Sequence, residues 1–261
     1  MSEVALPLEI DALAWGQRGT PFGGPWSARI APGELVAVLG PNGAGKTTLF
    51  RTLIGTVAPL GGRILWGGAP LAEATPAELA ASVAFVPQQG PSLLDLSVTE
   101  YVMLGRLARK ARFAGPGTED HRAVDAALAR LGLAALADRP LHRLSGGERQ
   151  LSAIARALAQ RARVILLDEP TSSLDFANQA RVLEQLSGLA KEGLAVLFST
   201  HQPEHAQRLA GRVLAIDGRG HARFGAAPDV LTSEALSEVY GVPVERIERS
   251  GGDPVFVASG R

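Results

Sequence analysis

One stretch near the N-terminus, residues 35–55, constrains the fold of this chain more than any other. It opens with Leu35–Leu39, an apolar run of the length and composition of a buried strand. Gly40–Thr47 follows and fits the pattern G-x-x-x-x-G-K-[ST]. Apolar residues then recur at helical spacing from Thr48 to Ile54, and Gly55 is a suitable helix stop. The order of strand, glycine-rich loop and helix predicts a site for a polyphosphate.

Each residue type in this loop suits a phosphate ligand. Glycines let backbone N–H groups approach the anion without a Cβ in the way, and the helix that follows points its N-terminal dipole at it. The Lys46 ammonium can reach the β- and γ-phosphates, and the Thr47 hydroxyl can ligate Mg²⁺. The alternative is an ordinary glycine-rich surface turn, which the strand–loop–helix context disfavours. The predicted binding residues are Gly40, Pro41, Asn42, Gly43, Ala44, Gly45, Lys46, Thr47 and Thr48.

Composition limits the other function classes. The chain has 26 basic and 26 acidic residues, so its net charge gives no sign of nucleic-acid or anionic-lipid binding. It has no cysteine, which excludes a disulfide framework and a thiolate metal site. The N-terminus lacks the pattern of a signal peptide, and no apolar run is long enough to span a bilayer. We therefore expect any work at a membrane to need another chain.

Strand and helix patterns alternate along the chain and predict an α/β fold with a mainly parallel sheet. Short strands before the glycine-rich loop predict an antiparallel β layer beside that sheet, and a long helical region predicts an inserted helical subdomain. The predicted strands are 6–15, 26–30, 61–68, 82–86, 164–167 and 195–200. The predicted helices are 75–80, 145–158, 182–189, 233–240 and a helical region over 97–136, with a possible hairpin in the tail after residue 220.

Two carboxylates, Asp168 and Glu169, end one of the apolar strands. Ligands bind at the carboxyl ends of strands in open α/β sheets, so these side chains are candidates for the reaction itself. Asp168 would hold Mg²⁺, and Glu169 would polarise the attacking water. The alternative is a solvated strand end with no chemistry.

A second glycine-containing helix start lies at Ser145-Gly146-Gly147. Serine caps the helix and the glycines expose N–H groups, which makes another anion site. One nucleotide does not need two such sites in one subunit, so we expect this one to serve a nucleotide bound to another copy of the chain.

Taken together, these motifs resemble the nucleotide-binding subunit of an ATP-binding cassette (ABC) transporter over residues 6–240. The resemblance identifies Gly40–Thr47 with the Walker A loop, 144–150 with the signature motif and 164–169 with Walker B and its catalytic glutamate. Gln88 is similar to the Q-loop glutamine, Asp175 to the D-loop aspartate, and His201 to the switch histidine. Trp15 stands 25 residues before Gly40, where the family places an aromatic that stacks on adenine.

The resemblance implies a P-loop NTPase core and ATP hydrolysis with Mg²⁺. It implies one domain over 1–261, with a RecA-like core at 1–87 and 153–261 and a helical subdomain at 88–152. It implies that Glu169, His201 and Gln88 are the catalytic residues. It also implies that Thr47, Gln88 and Asp168 bind the metal. Nucleotide contacts add Trp15, Ser145, Gly146, Gly147 and Asp175. His201 and His205 also stand four residues apart, so a zinc clamp is the alternative for that pair.

The run Val98–Arg106 and the tail Leu236–Val244 are similar to importers of iron–siderophore, haem and vitamin B12. This resemblance implies permease partners, a periplasmic substrate-binding protein, and a place at the cytoplasmic face of a bacterial inner membrane. The dense apolar residues after Gln88 fit a docking groove for a partner helix, or equally the core of the helical subdomain. An exporter subunit and a soluble ABC ATPase acting on DNA or ribosomes are the alternatives.

Overall fold

Three β-sheets and a group of helices make up the computed structural model, which describes residues 7–88, 95–107 and 115–259. The strands are β1 (Leu8–Gln17), β2 (Thr20–Ile30), β3 (Leu35–Leu39), β4 (Gly61–Trp66), β5 (Ala69–Pro70), β6 (Val83–Val86), β7 (Val164–Leu167), β8 (Ala195–Thr200), β9 (Arg212–Ile216), β10 (Ala222–Ala226), β11 (Val244–Arg249) and β12 (Gly252–Ala258). The α-helices are α1 (Lys46–Leu53), α2 (Pro76–Ser82), α3 (Val98–Leu107), α4 (Thr118–Arg130), α5 (Gly146–Ala159), α6 (Phe176–Lys191), α7 (Pro203–Leu209), α8 (Ala227–Val230) and α9 (Ser233–Tyr240). Single 3₁₀ turns occupy Leu71–Glu73, Ala134–Leu136 and Leu141–Arg143.

The central sheet has the strand order β10-β9-β3-β8-β7-β6. All neighbours are parallel except β10, which pairs antiparallel with β9. In the register of this sheet Leu39 lies opposite Thr200, and Leu167 lies opposite Phe198. The carboxyl ends of β3, β7 and β8 therefore lie side by side, and the loops that follow them converge on one edge. The predicted parallel sheet is confirmed.

The second sheet, of order β2-β1-β4-β5, is antiparallel throughout and confirms the predicted layer. Its inner face packs on β3 and α1 through a buried apolar cluster that includes Trp15, Trp26, Val38 and Phe50. Register shifts interrupt the pairing of β1 with β2 between Ile10 and Gly16. These irregularities decide which aromatic side chains of the β1–β2 hairpin reach the core and which stay near the edge of the site.

Helices α3, α4 and α5 pack together around a second apolar cluster, to which Val98, Tyr101 and Val102 contribute fully or almost fully buried side chains. A buried ion pair adds specificity, because Arg106 Nε lies 2.9 Å from Asp120 Oδ1. The division at 88–152 stays a prediction. Its last residue lies inside α5, which runs on to Ala159 as one helix, and the segments 89–94 and 108–114 lie outside the described residues.

Helix α2 begins with a capping box, as α5 does at Ser145. Thr75 accepts a hydrogen bond from the Glu78 N–H while the Glu78 carboxylate accepts one from the Thr75 N–H, and Pro76 is the first residue of α2. In the tail, α9 has the predicted bounds, and the hairpin β11–β12 follows it. Within the described ranges, no helix combines the length and the apolar character needed to cross a bilayer.

Candidate nucleotide-binding site

The glycine-rich loop joins the end of β3 to the start of α1 at the edge where β7 and β8 also end. Gly43 and Gly45 have φ angles of 83° and 92°, values that residues with a Cβ rarely adopt. At Gly40 a Cβ would lie 2.3 Å from the Ile216 carbonyl oxygen, so only glycine fits beside β9. The loop thus turns sharply and presents its backbone N–H groups at the first turn of α1.

Lys46, the first residue of α1, is 4 % exposed. Its Nζ lies 2.8 Å from the Gly40 carbonyl oxygen, 3.0 Å from that of Pro41 and 3.1 Å from Glu169 Oε1. A buried ammonium is tolerated only with partners of this kind. These contacts hold the positive charge at the mouth of the loop, beside the N–H groups that would bind a phosphate.

The oxygen atoms of Thr47 and Asp168 form the candidate magnesium site. Thr47 Oγ1 donates to Asp168 Oδ2 over 2.5 Å, and Asp168, at 2 % exposure, also accepts from Ser199 Oγ at 2.6 Å. A hydroxyl and a carboxylate are the hard oxygen ligands that Mg²⁺ prefers, with phosphate oxygens and water completing the shell. No group of three or more His, Cys, Asp or Glu suited to a metal occurs in the described part of the chain.

Glu169 follows β7 in a left-handed backbone conformation with φ at 43°. Non-glycine residues rarely adopt this conformation, and at a functional site it indicates a side chain whose direction matters. Its N–H donates to Ser199 Oγ at 2.8 Å, and its Oε2 accepts from Gln88 Nε2 at 3.1 Å. His201 Nδ1 lies 3.5 Å from the same Oε2. The glutamate therefore stands between Lys46, Gln88 and His201.

The two histidines after β8 have different environments. The His201 side chain is part-exposed and faces Glu169, as expected of a reacting group. His205 is buried, and its Nδ1 lies 3.3 Å from Thr171 Oγ1. Burial lowers the pKa of His205, and electrostatic interaction with His201 and Arg208 lowers it further. The contact with Thr171 and this burial favour a core histidine at position 205 over a zinc ligand.

The prediction for Trp15 is wrong in the structure. Trp15 is fully buried, packs edge-on against Trp26 with ring centroids 6.4 Å apart, and covers Gly23. Its ring has no open face for a base. Phe22, seven residues further along the hairpin, lies instead over Gly45, where a Cβ would come within 2.6 Å of the Phe22 Cβ. Phe22 is therefore the aromatic side chain beside the glycine-rich loop.

A cavity of about 380 Å³ brings these groups together. Several predicted residues line it, while the part-buried Phe22 and the exposed Gln17 are additions that the sequence did not single out. The described residues lining it are Gln17, Phe22, Asn42, Gly43, Gly45, Lys46, Thr47, Thr48, Gln88 and Glu169. Gly40, Pro41 and Ala44 belong to the same loop, and the carbonyl oxygens of Gly40 and Pro41 accept hydrogen bonds from Lys46 Nζ.

Ser145, Gly146, Gly147 and Asp175 do not contribute to the lining of that cavity. Ser145 is exposed and caps α5, accepting from the Glu148 N–H at 3.3 Å, and the exposed Asp175 caps α6, accepting from the Asn178 N–H at 2.8 Å. Gly147 packs so closely on Asn178 that a Cβ there would lie 2.1 Å from its Oδ1. The two helix starts thus lie side by side, with Ser145, Gly146 and Asp175 exposed and Gly147 buried against α6; we call them the capped surface (Ser145–Gly147 and Asp175).

Ser199 is the functional residue that sequence reasoning missed most clearly. Its hydroxyl donates to Asp168 and accepts from the Glu169 N–H, so it fixes both carboxylate residues from the neighbouring strand. The signal was present, because a fully buried serine near the end of an apolar strand needs polar partners.

Comparison with known proteins decides the family. The sequence profile of the ABC transporter family matches residues 25–172 of the chain. The chain belongs to the ABC transporter family. It is 39% identical over 242 residues to an uncharacterized ABC transporter ATP-binding protein of Haemophilus influenzae, covering 93% of this chain and 92% of the relative. It is 36% identical over 265 residues to the hemin import ATP-binding protein HmuV of Myxococcus xanthus, covering 98% of each chain.

Among solved structures, a chain described as part of a metal-chelate type ABC transporter in an inward-facing conformation is similar over 98% of both chains, with a TM-score of 0.86 and 34% sequence identity. In this ABC protein the loop Gly40–Thr47 and the end of β7 meet at the cavity, whereas Ser145–Gly147 and Asp175 lie on the capped surface.

Proposed function

We propose that the chain is the ATP-hydrolysing subunit of a bacterial importer for a metal chelate such as iron–siderophore, haem or vitamin B12. The observation that carries the proposal is the meeting of Lys46, Thr47 and Asp168 with Glu169 and His201 at one edge of the sheet. No simpler role accounts for a buried lysine, a hydroxyl–carboxylate pair and a strained glutamate at the mouth of one loop.

Binding begins with charge. Lys46 and the N–H groups of the loop hold the β- and γ-phosphates, while the dipole of α1 adds a favourable field. Thr47 and Asp168 would hold Mg²⁺, with Gln88 as a further candidate ligand, and the metal would supply positive charge to the phosphates. Phe22 offers its ring to the adenine in the place first assigned to Trp15, and a stacked ring adds affinity without selecting a phosphate state.

Hydrolysis follows from the position of Glu169. Its carboxylate orients the attacking water and takes up its proton. Gln88 donates a hydrogen bond to Oε2 and orients that carboxylate, and His201, whose Nδ1 lies 3.5 Å from the same oxygen, would contact the γ-phosphate. Ser199 holds Asp168 and the backbone of Glu169 in place, so that both carboxylates are preorganised for the reaction.

A second copy of the chain would complete the site. The capped surface lies at the start of α5, where the helix dipole favours an anion, but it lies apart from the lining of the cavity of its own chain. Two copies facing head to tail would place Ser145–Gly147 of one against the γ-phosphate on the other, with Asp175 at the joint. ATP binding closes the pair, and hydrolysis opens it.

Permease subunits would turn this opening and closing into transport. Leu104 and Leu107 on α3 are exposed and supply apolar surface for a partner helix. Tyr101 and Val102 on the same helix are buried in the apolar cluster between α3, α4 and α5. Relatives named for import of hemin, cobalamin and iron(3+)-hydroxamate support a metal-chelate cargo, and one named for molybdate import marks the rival cargo. The subunit would sit at the cytoplasmic face of the inner membrane, with a periplasmic substrate-binding protein on the far side.

Reconstitution tests the proposal. The chain is co-expressed with candidate permease subunits, purified as a complex and placed in vesicles, and phosphate release is measured with Mg²⁺-ATP. We expect hydrolysis that rises when a metal chelate and its binding protein are supplied. Hydrolysis that responds only to molybdate, or a chain that neither binds a membrane subunit nor hydrolyses ATP, contradicts it.

A further inference from the structure

The C-terminal part of the chain reaches back to the switch histidine. Tyr240, the last residue of α9, donates its hydroxyl to the backbone carbonyl oxygen of His201 at 2.8 Å, across 39 residues of sequence. Its ring is part-buried and packs against the main apolar cluster. The contact therefore joins a side chain that takes no part in the reaction to the main chain of a residue that faces Glu169.

A second contact holds the helix that follows His201. In β12 the Phe256 N–H approaches Glu204 Oε1 of α7 at 3.4 Å, and the Phe256 ring packs against the same apolar cluster as Tyr240. The terminal hairpin thus contacts helix α7, and the end of α9 contacts His201, two residues before that helix. The segment 201–209 is supported by a part of the chain that the phosphate-binding core does not itself require.

The backbone at His201 is the point where such support matters most. Upstream, β8 is fixed in the central sheet up to Thr200, and downstream α7 begins at Pro203. His201 lies between them, outside the ladder of the sheet and outside the helix, with its Nδ1 3.5 Å from Glu169 Oε2. A rotation about the N–Cα bond of His201 would move its carbonyl group and its Cβ together, and would so turn the imidazole away from the glutamate.

We propose that Tyr240 is a positioning residue for ATP hydrolysis, whose hydroxyl fixes the His201 carbonyl and so keeps the imidazole directed at Glu169 and the γ-phosphate. This inference rests on the proposed function. It predicts that the C-terminal segment tunes the reaction step and leaves nucleotide binding, which depends on Lys46 and the loop, unchanged.

The protonation of Tyr240 is compatible with this role. Burial raises the pKa of its hydroxyl, and the nearby negative charge of Glu204 raises it further. The group therefore stays neutral and keeps its proton as a donor at any pH at which the protein would be assayed. The donor role does not switch on and off near neutral pH.

Tyr240→Phe tests the inference, since it removes the hydroxyl and keeps the ring in the core. A single hydrogen bond of this kind shifts an equilibrium by a factor of about two to ten, so we expect kcat for ATP hydrolysis to fall about three- to tenfold. The KM and the dissociation constant for ATP should stay within about twofold of wild type, because the bond does not touch the nucleotide. Amide hydrogen exchange of a peptide covering residues 200–206 should be faster in the variant.

Ser237→Ala is the matched control. Ser237, on the same helix, accepts a hydrogen bond from the Val244 N–H at 2.8 Å and donates to the Ser233 carbonyl at 2.6 Å, but none of its hydrogen bonds is to His201. Its loss weakens the tail to a similar degree, so we expect kcat and exchange at 200–206 to stay at the wild-type level. An equal fall in kcat for Ser237→Ala, or unchanged kcat in Tyr240→Phe, overturns the positioning role.

The two levels of the argument fail differently. A wild-type complex that does not hydrolyse ATP overturns the proposed function, whatever Tyr240 does. A wild-type complex that hydrolyses ATP, with a Tyr240→Phe variant equal to it in kcat and in exchange at 200–206, overturns only the role of Tyr240.

Discussion

The cavity beside Lys46 and the capped surface at Ser145 use their polar groups in opposite ways. At the cavity, Lys46 and the neighbouring Asp168 are almost fully buried, and their contacts with Glu169 and Thr47 join the glycine-rich loop to the end of β7. On the capped surface, Ser145 and Asp175 are exposed, and each satisfies only the first turn of its own helix. The cavity is assembled by folding alone, whereas the capped surface offers its groups outward.

This difference suits a site of which one part is built within a single chain and the other part is offered to a second copy, as proposed above. Buried, mutually bonded groups cost free energy unless the fold holds them in place, so they belong where a ligand must bind first. Exposed capping groups cost little and remain free to meet a second molecule. Four substitutions separate the two regions, and they are ordered here by the size of the expected effect.

The largest effect is expected for Glu169→Gln in the cavity. The amide cannot take the proton of the attacking water, so kcat should fall by about 10²–10⁴-fold while ATP still binds. Phosphate release measures kcat. Light scattering measures the molecular mass in the presence of ATP, where a dimer should accumulate. Glu184→Gln, an exposed glutamate on α6, is the control and should behave as wild type. Turnover near the wild-type rate in Glu169→Gln contradicts its role as the base.

Lys46→Ala should remove binding itself. Loss of a charge-assisted contact with the phosphates should weaken the affinity for ATP about 100-fold, as measured by titration with a fluorescent nucleotide. Lys191→Ala changes an exposed lysine at the end of α6 and should leave the affinity intact. Normal affinity in Lys46→Ala is incompatible with the cradle described here.

Ser145→Arg sharpens the comparison from the other side. Because the capped surface is expected to act on a nucleotide held by a second copy, hydrolysis should fall by more than about tenfold while ATP binding by the isolated subunit changes little. Thr75→Arg is a matched control, since Thr75 is the N-cap of another capping box and its loss costs about 1 kcal/mol of stability in the same way. Equal loss of binding and hydrolysis in Ser145→Arg argues against action across two copies.

The smallest effect is expected for Phe22→Ala. Removing a stacked ring should weaken the affinity for ATP about five- to tenfold and leave the affinity for inorganic triphosphate unchanged. Trp15→Phe is the control, because Trp15 is buried in the core: it should lower the melting temperature without changing nucleotide affinity. Weaker ATP affinity in Trp15→Phe, with unchanged affinity in Phe22→Ala, would indicate that Trp15 rather than Phe22 stacks on the adenine.

The pair Trp15 and Phe22 also marks the limit of the sequence. The chemistry of the glycine-rich loop and the ends of the strands could be predicted because each depends on a few adjacent residues, and the order of elements in the sheet followed from their alternation. The face that a hairpin side chain occupies depends on the bulges between Ile10 and Gly16, which no local pattern announces. The spacing from Gly40 predicted Trp15 as the aromatic residue at the nucleotide, but the pairing register of β1 with β2 places its side chain in the core.

Tertiary partners were the other part that could not be read from the sequence. Ser199 and Tyr240 act through residues 30 and 39 positions away, and nothing in their immediate neighbourhood names those partners. The residues that hold a reacting group in place are thus harder to predict than the group itself, because any hydroxyl brought close by the fold can serve.

A structure of Glu169→Gln with ATP and Mg²⁺ tests the central claim most directly. The account predicts two chains around two nucleotides, with each γ-phosphate within hydrogen-bond distance of Lys46 in one chain and of Ser145 in the other. A nucleotide contacted by residues of a single chain, with Ser145 exposed to solvent, would contradict it.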